Sequence, residues 1–298
     1  MTDKTAEQPS ETALFAALRR TIAHKEFADD KFGADFLAEF FLPAHFRFFL
    51  RFKRFRSNTK ERLNVFLPGL TEYVIARTAH FDNLFVDALD REVPQIVLLG
   101  AGYDTRAYRF ANRNRGTQIY ELDMAPTQNR KKECLRKARI EVPREVKLVP
   151  IDFNTESLAD VLAEAGYEPL RETLFVWEGV SYYLDAASVD KTLAFVSHSS
   201  PKDSRIAFDY TILISEENVD QYYGAKEFAQ TMKEHHADEE LMFSIGEGGI
   251  ESFLEQRGLK LVDHLKNDEI ERTYLVGDDG VLLGQITGHF CFVVASKR

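Results

Sequence analysis

Apolar positions keep two different rhythms along this chain, and the change comes near residue 90. In the first stretch they recur at helical spacing: Leu14, Leu18 and Ile22 fall four apart, and Val74, Phe81, Leu84 and Ala88 keep a comparable face. Pro43 and Pro68 interrupt the pattern, so residues 13–89 predict a layer of helices behind a mobile tail over residues 1–12. From Ile96 onward, short apolar runs alternate with longer mixed segments. Strands are predicted at 95–100, 117–122, 146–151, 173–178 and 204–210, and helices at 105–112, 126–139, 155–165 and 186–198. This alternation specifies a parallel sheet with right-handed crossovers. The polar and aromatic stretch 211–249 reads as a partly helical cap inserted after the fifth strand. A helix over 250–257 then ends at Gly258, and a strand follows over 259–265. An Asp-Gly turn signal at 279–280 precedes a last strand at 290–295, predicting an antiparallel finish with hairpin-like connections. The result is an α/β chain with a seven-stranded, mostly parallel sheet containing one reversed strand. It divides into a helical layer or lid over 1–92 and a core over 93–298.

The junction at 95–110, QIVLLGAGYDTRAYRF, carries the most information about chemistry. Gly100 and Gly102 let the backbone turn sharply and approach a ligand, because no Cβ stands in the way. Asp104 or Thr105 is placed to cap the helix that follows. Taken alone, such a loop fits an ordinary strand-to-helix turn as well as a nucleotide-binding loop. The next strand ends shift the balance. Strand two finishes in Glu121-Leu122-Asp123, with Asp123 21 residues after Gly102, where a carboxylate accepting ribose hydroxyls is expected. An N-cap is the plainer role for Asp123, and Glu121, on the same face, competes with it. Strand three ends in Asp152-Phe153, suited to the exocyclic amine and edge of an adenine. Strand four ends in Glu178. Ligands of open α/β sheets bind outside these strand ends, and three crowded carboxylates repel unless a ligand, cation or basic residue joins them. The dinucleotide fingerprint would place its third glycine at 105, where this chain has Thr105. A cofactor with an adenosine but no phosphates suits the acidic rim better, and S-adenosylmethionine, with its cationic sulfonium, meets that description.

Several segments together resemble the leucine carboxyl methyltransferase family, in its bacterial S-adenosylmethionine-dependent O-methyltransferase branch. They are Gly100-Ala101-Gly102-Tyr103-Asp104-Thr105-Arg106 with Tyr108-Arg109, Glu121-Leu122-Asp123, Asp152-Phe153, and Glu178-Gly179-Val180-Ser181-Tyr182-Tyr183-Leu184. Ala76-Arg77-Thr78 followed by Asp82 resembles the family's N-terminal arginine motif. The resemblance runs from about residue 70 to 210 and implies a Rossmann-like class I methyltransferase fold with helical additions. It further implies Arg77 on the methionine carboxylate, Gly100 and Gly102 against the cofactor, Asp123 on the ribose, Asp152 and Phe153 at the adenine, and Glu178 near the methionine amine. An exposed helical arginine paired with Glu72 or Asp82 is the plainer reading of Arg77. The Phe-rich 13–89 region and 211–249 share the resemblance less clearly, and the choice of acceptor is expected there. Tyr182, Tyr183 and Tyr210 lie at or just after strand ends and are expected to face the acceptor, although aromatic packing accounts for each equally well. No residue is singled out as a catalytic base.

Bulk properties narrow the partners. A net charge of -10 and a pI near 5.4 disfavour broad electrostatic attraction to nucleic acid, leaving a small-molecule acceptor as the expected partner. Cys134 and Cys291 are the two cysteines, so neither a disulfide framework nor a cysteine metal site is expected, which fits a reducing cytoplasm. His235-His236 has no ligand pair at suitable spacing, and no metal is expected. His289 reads as a strand-end histidine, with a base role as the alternative. No apolar run reaches the roughly 18 residues of a membrane span, so no stable insertion is expected. One segment runs against the acidic balance: 46–56, FRFFLRFKRFR, interleaves phenylalanine with basic residues. At helical spacing it reads as a lid helix with snorkelling arginines, a membrane or nucleic-acid contact being the alternative. The expected activity is S-adenosylmethionine-dependent methylation of a carboxylate or hydroxyl oxygen on a small acceptor. An NAD(P)-dependent oxidoreductase and a non-catalytic S-adenosylmethionine-binding protein are the alternatives.

Overall fold

The computed structural model describes residues 9–27, 32–153, 155–235 and 241–298. The short apolar runs form the strands of one sheet: β1 Gln95–Leu99, β2 Gln118–Asp123, β3 Val146–Pro150, β4 Thr173–Trp177, β5 Arg205–Thr211, β6 Leu259–Leu265 and β7 Phe290–Lys297. Their order is β3-β2-β1-β4-β5-β7-β6. The first five strands run parallel, and β7 is antiparallel to both β5 and β6. The chain winds outward from β1 to β3, then returns to place β4 on the other side of β1. That reversal leaves a crevice beyond the carboxyl ends of β1 and β4.

Helices cover both faces. The leading layer consists of α1 Glu11–Glu26, α2 Ala44–Phe49, α3 Lys53–Phe66 and α4 Leu70–Asp90. The crossovers carry α5 Arg106–Arg109, α6 Ala125–Ala138, α7 Leu158–Glu164 and α8 Ala186–His198, and the later part holds α9 Ala225–His235, α10 Ile250–Glu255 and α11 Asn267–Tyr274. Among the described residues, no helix is long and apolar enough to cross a membrane. Strand alternation separates two apolar cores. Ile96, Leu98, Ile119, Val176 and Ala207 face a cluster shared with α1 and α4, whereas Val97, Leu99, Leu122, Trp177, Phe208 and Tyr210 face a second cluster containing Val189 and Leu193 of α8. By the same parity, Asp123, Glu178 and Asp209 emerge on the α4 side.

Three expectations change. The loop after β1 supports only one α-helical turn, α5, followed by a 3-10 turn at Ala111–Arg113. The β6 to β7 connection is no hairpin: it contains α11, with a short antiparallel bridge between Val276 and Leu282 around the Asp-Gly turn. The sequence hides α11 because Ile270 is its single buried residue, so no apolar stripe marks it. Residues 1–8 of the expected tail lie outside the described residues, and α1 already begins at Glu11, where Ser10 Oγ accepts from the Ala13 N–H at 3.1 Å. His236 and the side chain of His235 also lie outside the described residues. Cys134 and Cys291 are both free thiols.

Candidate active site

The loop after β1 bends where the sequence has glycine. Gly100 has φ +70° and Gly102 φ +44°, both left-handed. A Cβ on Gly100 would lie 2.5 Å from Val180 Cγ2, so the loops after β1 and β4 approach each other only because residue 100 lacks a side chain. Asp123 then fixes the loop to the tip of β2: its Oδ2 accepts from Gly102 N–H at 2.5 Å and its Oδ1 from Met124 N–H at 2.7 Å. These bonds differ from an N-cap of α6, which has no side-chain cap. Burial pushes the Asp123 carboxyl above its ordinary range despite the two N–H donors. Glu121 is excluded from the cavity. It is fully buried one layer below, paired with Lys131 Nζ at 2.7 Å and accepting from Tyr108 Oη at 3.3 Å.

A chain of buried ion pairs ties α4 to the strand tips. Arg106, 1% exposed, places Nε 2.7 Å from Asp82 Oδ1, and its Nη1 2.6 Å from both Asp104 Oδ2 and Glu178 Oε2. Arg109 adds two bonds to Asp82, at 2.6 and 2.7 Å. Arg77 reaches Glu178 Oε1 through Nε at 2.9 Å and Asp209 Oδ2 through Nη1 at 3.5 Å. Its guanidinium lies against Gly179, where an added Cβ would be 3.0 Å from Nη1. Asp209 in turn accepts from Tyr73 Oη at 2.5 Å and from Gly179 N–H at 2.7 Å. Burial opposes the charge on Arg77, yet Glu178, Tyr182, Tyr73 and Asp209 hold it well above its ordinary value. Burial raises Asp209, against Arg77 and the Tyr73 hydroxyl. Glu178 thus sits between two guanidiniums, a geometry in which each charge is paired.

A cavity of about 810 Å³ opens over these groups. Gly100, Gly102, Asp123, Asp152, Phe153, Arg77 and Glu178 all line it, as do Tyr182 and Tyr183. The structure therefore brings together residues spread over a hundred positions of sequence. Tyr210 is the exception and corrects the sequence reading. It follows Asp209 on β5, so alternation turns it to the opposite face, where its hydroxyl meets His264 Nε2 at 2.9 Å. Asp152 is engaged locally, its backbone N–H donating to Glu156 Oε2 at 2.7 Å and its Oδ2 accepting from Thr155 Oγ1 at 2.9 Å. His289 is buried next to Phe228 and Phe290 and is not in the cavity wall, and burial lowers it to about 3.

The far wall comes mainly from helices. Leu63 and Phe66 of α3, Phe228 and Met232 of α9, and Met242 make it mostly apolar, and α3 and α9 are joined by Thr231 Oγ1 donating to the Phe66 carbonyl at 2.8 Å. Three participants escaped the sequence reading. Asp209 adds a carboxylate near the end of β5, two residues before its last, and parity with Ala207 identifies its face. Tyr73 precedes Arg77 by one helical turn on α4. Arg19 of α1 lines the cavity at 2% exposure, and its Nε and Nη2 have no hydrogen-bond partner among the described residues. Burial and then the charge of Arg77 pull Arg19 down to about 10. It remains a cation at neutral pH, so the wall holds a buried guanidinium edge with no directly bonded anion among the described residues, Glu72 acting on it only at longer range.

Comparison with other proteins shows a family and a fold. The family model described as leucine carboxyl methyltransferase matches residues 13–197, more than half of the chain. Bacillus subtilis YktD, named as an S-adenosyl-L-methionine-dependent methyltransferase, is 28% identical over 222 residues, which span 74% of this chain and 71% of that one. A Mycolicibacterium smegmatis protein of the same designation is 31% identical over 201 residues, 64% of each chain. Among solved structures, a Thermobifida fusca methyltransferase superimposes with TM-score 0.60 at 13% identity, covering 98% of this chain and 96% of its own. A Streptomyces avermitilis DUF574 family protein gives TM-score 0.59 at 14% identity, covering 98% and 99%. These two likenesses show the fold.

Proposed function

The chain belongs to the leucine carboxyl methyltransferase family and is an S-adenosylmethionine-dependent methyltransferase, and from that premise we propose that it methylates a carboxylate oxygen of a small acceptor. The cofactor, when bound, supplies a methyl group on a cationic sulfur open to attack by an oxygen. In this reading Asp123 accepts the ribose hydroxyls, Asp152 and Phe153 bound the adenine, and Glu178 balances the methionine ammonium. Arg77 is largely neutralised by Glu178 and Asp209. The unpaired edge of Arg19 is therefore the better match to the methionine carboxylate, with Arg77 behind it. Residues 1–92 act as a lid layer over the core at 93–298, and 211–249 as a cap; together they choose the acceptor through Leu63, Phe66, Phe228 and Met232. Tyr182 and Tyr183 stand on the acceptor side.

One observation carries the choice of a carboxylate over a hydroxyl. Burial, and then Asp209, push the phenols of both Tyr73 and Tyr182 well above their ordinary value, so neither serves as a base at neutral pH. A carboxylate is already ionised there and requires none. The protein's work is then to hold the acceptor oxygen in line and exclude water, for which well-oriented proximity supplies at most about 7 to 11 kcal/mol. The test is transfer of labelled methyl into cell-extract acceptors followed by mild alkali. An ester releases its label as methanol, whereas base-stable label would show an ether and overturn the proposal. The Arg19 assignment is tested separately. Arg19→Ala should weaken S-adenosylhomocysteine binding and leave methylthioadenosine, which lacks the amino-acid end, unchanged.

A further inference from the structure

We propose that the arm formed by α2 and α3 docks the protein onto an anionic lipid surface. Its charge is opposite to that of the rest of the chain. Residues 40–60 contain six Lys or Arg and no Asp or Glu, within a chain of net charge -10. Neither α2 nor α3 has a buried residue, unlike α4 beside them. At the turn between the two helices, Phe48, Phe49 and Phe52 are 53%, 47% and 54% exposed. Phe48 meets Phe49 and Phe52 edge-on at 5.7 and 5.6 Å, so the three rings form one apolar knob. Arg51, Lys53 and Arg54 stand exposed around it. Arg56 is used internally, Nη1 donating to the carbonyls of Leu50 and Arg51 at 3.1 Å each, which fixes the turn that presents the rings.

This combination fits a lipid headgroup region better than other polyanions or a second copy. Weak apolar insertion and weak electrostatic attraction are each marginal and become stable together. Nucleic-acid binders offer open ring faces for stacking, whereas these rings are turned edge-to-face on one another. Two copies meeting through this face would set one cationic cluster against another. The acidic remainder of the chain repels the same surface, so only one orientation is favourable, with the arm down. About 20 Å along α3, at 1.5 Å per residue, Leu63 and Phe66 line the cavity. The same helix thus runs from the docked turn to the cavity wall. The inference does not depend on which oxygen is methylated.

The experiment is co-sedimentation of the full chain with vesicles of equimolar phosphatidylglycerol and phosphatidylcholine, and with phosphatidylcholine alone. The expected result is binding to the first only, weakened by salt. The charge-reversed variant R51E/K53E/R54E should bind at least about 100-fold more weakly, at roughly fivefold per cation. The variant F48S/F52S should lose binding without changing net charge, so one variant stands in if the other misfolds. S-adenosylhomocysteine affinity, unchanged in both variants, reports an intact core. Failure of the wild type to bind the anionic vesicles would overturn the proposal. So would equal binding by the folded variants, or an arm-dependent dimer or single-stranded oligonucleotide complex in place of vesicle binding.

Discussion

The two halves of the cavity are built on opposite terms. The strand-tip half is assembled from buried charges: Arg106, Asp82, Asp104, Glu178, Arg77 and Asp209 form a continuous set of ion pairs at 2.6 to 3.5 Å. The helical half holds no such network and is unevenly packed: α3 has no buried residue and Phe66 is 57% exposed, whereas Phe228 and Met232 of α9 are buried in the core. The contrast separates two tasks. In the proposed reading a fixed cofactor permits a fixed arrangement of dipoles and charges, while the α3 part of the proposed acceptor wall carries few of the interactions that hold the fold. Changes in the first half are therefore expected to cost stability, and changes in the second mainly specificity.

The largest effect should follow Arg106→Ala, which leaves Asp82, Asp104 and Glu178 short of a buried counter-charge. A loss of about 3 to 5 kcal/mol in urea denaturation is expected; a loss below about 1 would mean the network is dispensable. Acidification probes burial on each side. Burial, together with Arg106 for His80, depresses His80 and His289 to about 3 in the folded protein. The unfolded chain protonates both near 6.5, so it binds more protons than the native state in the window between. Stability is thus fully present above about 6.5 and falls as pH falls toward 3, by about 2 kcal/mol per histidine by pH 5. His80 lies on α4, stacked on Phe292 at 4.7 Å, and His289 lies beside Phe228 of α9 at 5.0 Å. Replacing each by Phe should remove its share of the pH dependence. If His289→Phe removes none, the acceptor half opens locally and the contrast deepens.

Asp123→Ala should weaken cofactor binding by about 1 to 3 kcal/mol in calorimetric titration, and unchanged affinity would detach the ribose assignment from this residue. The smallest effect is expected from Phe66→Ala. Its side chain is half outside the protein, so stability should change by less than about 1 kcal/mol, while acceptor preference shifts. A large loss of stability would erase the distinction between the halves.

Much of this was legible in the chain because strands write their burial directly. The runs at 96–99 and 174–177 have no polar interruption, and parity carried on from the second, and along β2 from Ile119, fixes where Glu178 and Asp123 emerge. Parity also accounts for the error over Tyr210. Closeness to a strand end placed it at the site, but one residue of offset from Asp209 turns it to the other face. Arg19 was not legible, since a helical arginine reads as solvated until the packing of α1 over the strand tips is known. The partners of Arg106 were equally hidden, because charge pairing between α4, α5 and β4 is set by the tertiary arrangement. The acceptor wall left no pattern beyond an abundance of phenylalanine.

The start of α1 has a consequence for the pace of turnover. An added Cβ on Gly102 would lie 3.2 Å from Ala13 Cβ, and the Ser10 N–H donates to Thr127 Oγ1 at 3.1 Å, so the helix begins directly across the glycine loop. Were a spent nucleoside to leave past this edge of the loop, that first turn would have to lift. Thr127→Val, which removes the tether together with the Thr127 hydroxyl's bond to Asp123, should then quicken product exchange in stopped-flow measurements; an unchanged rate would show another exit. The clock of the enzyme would lie in the departure of what it has used, governed by one serine-to-threonine bond at the edge of the helical layer.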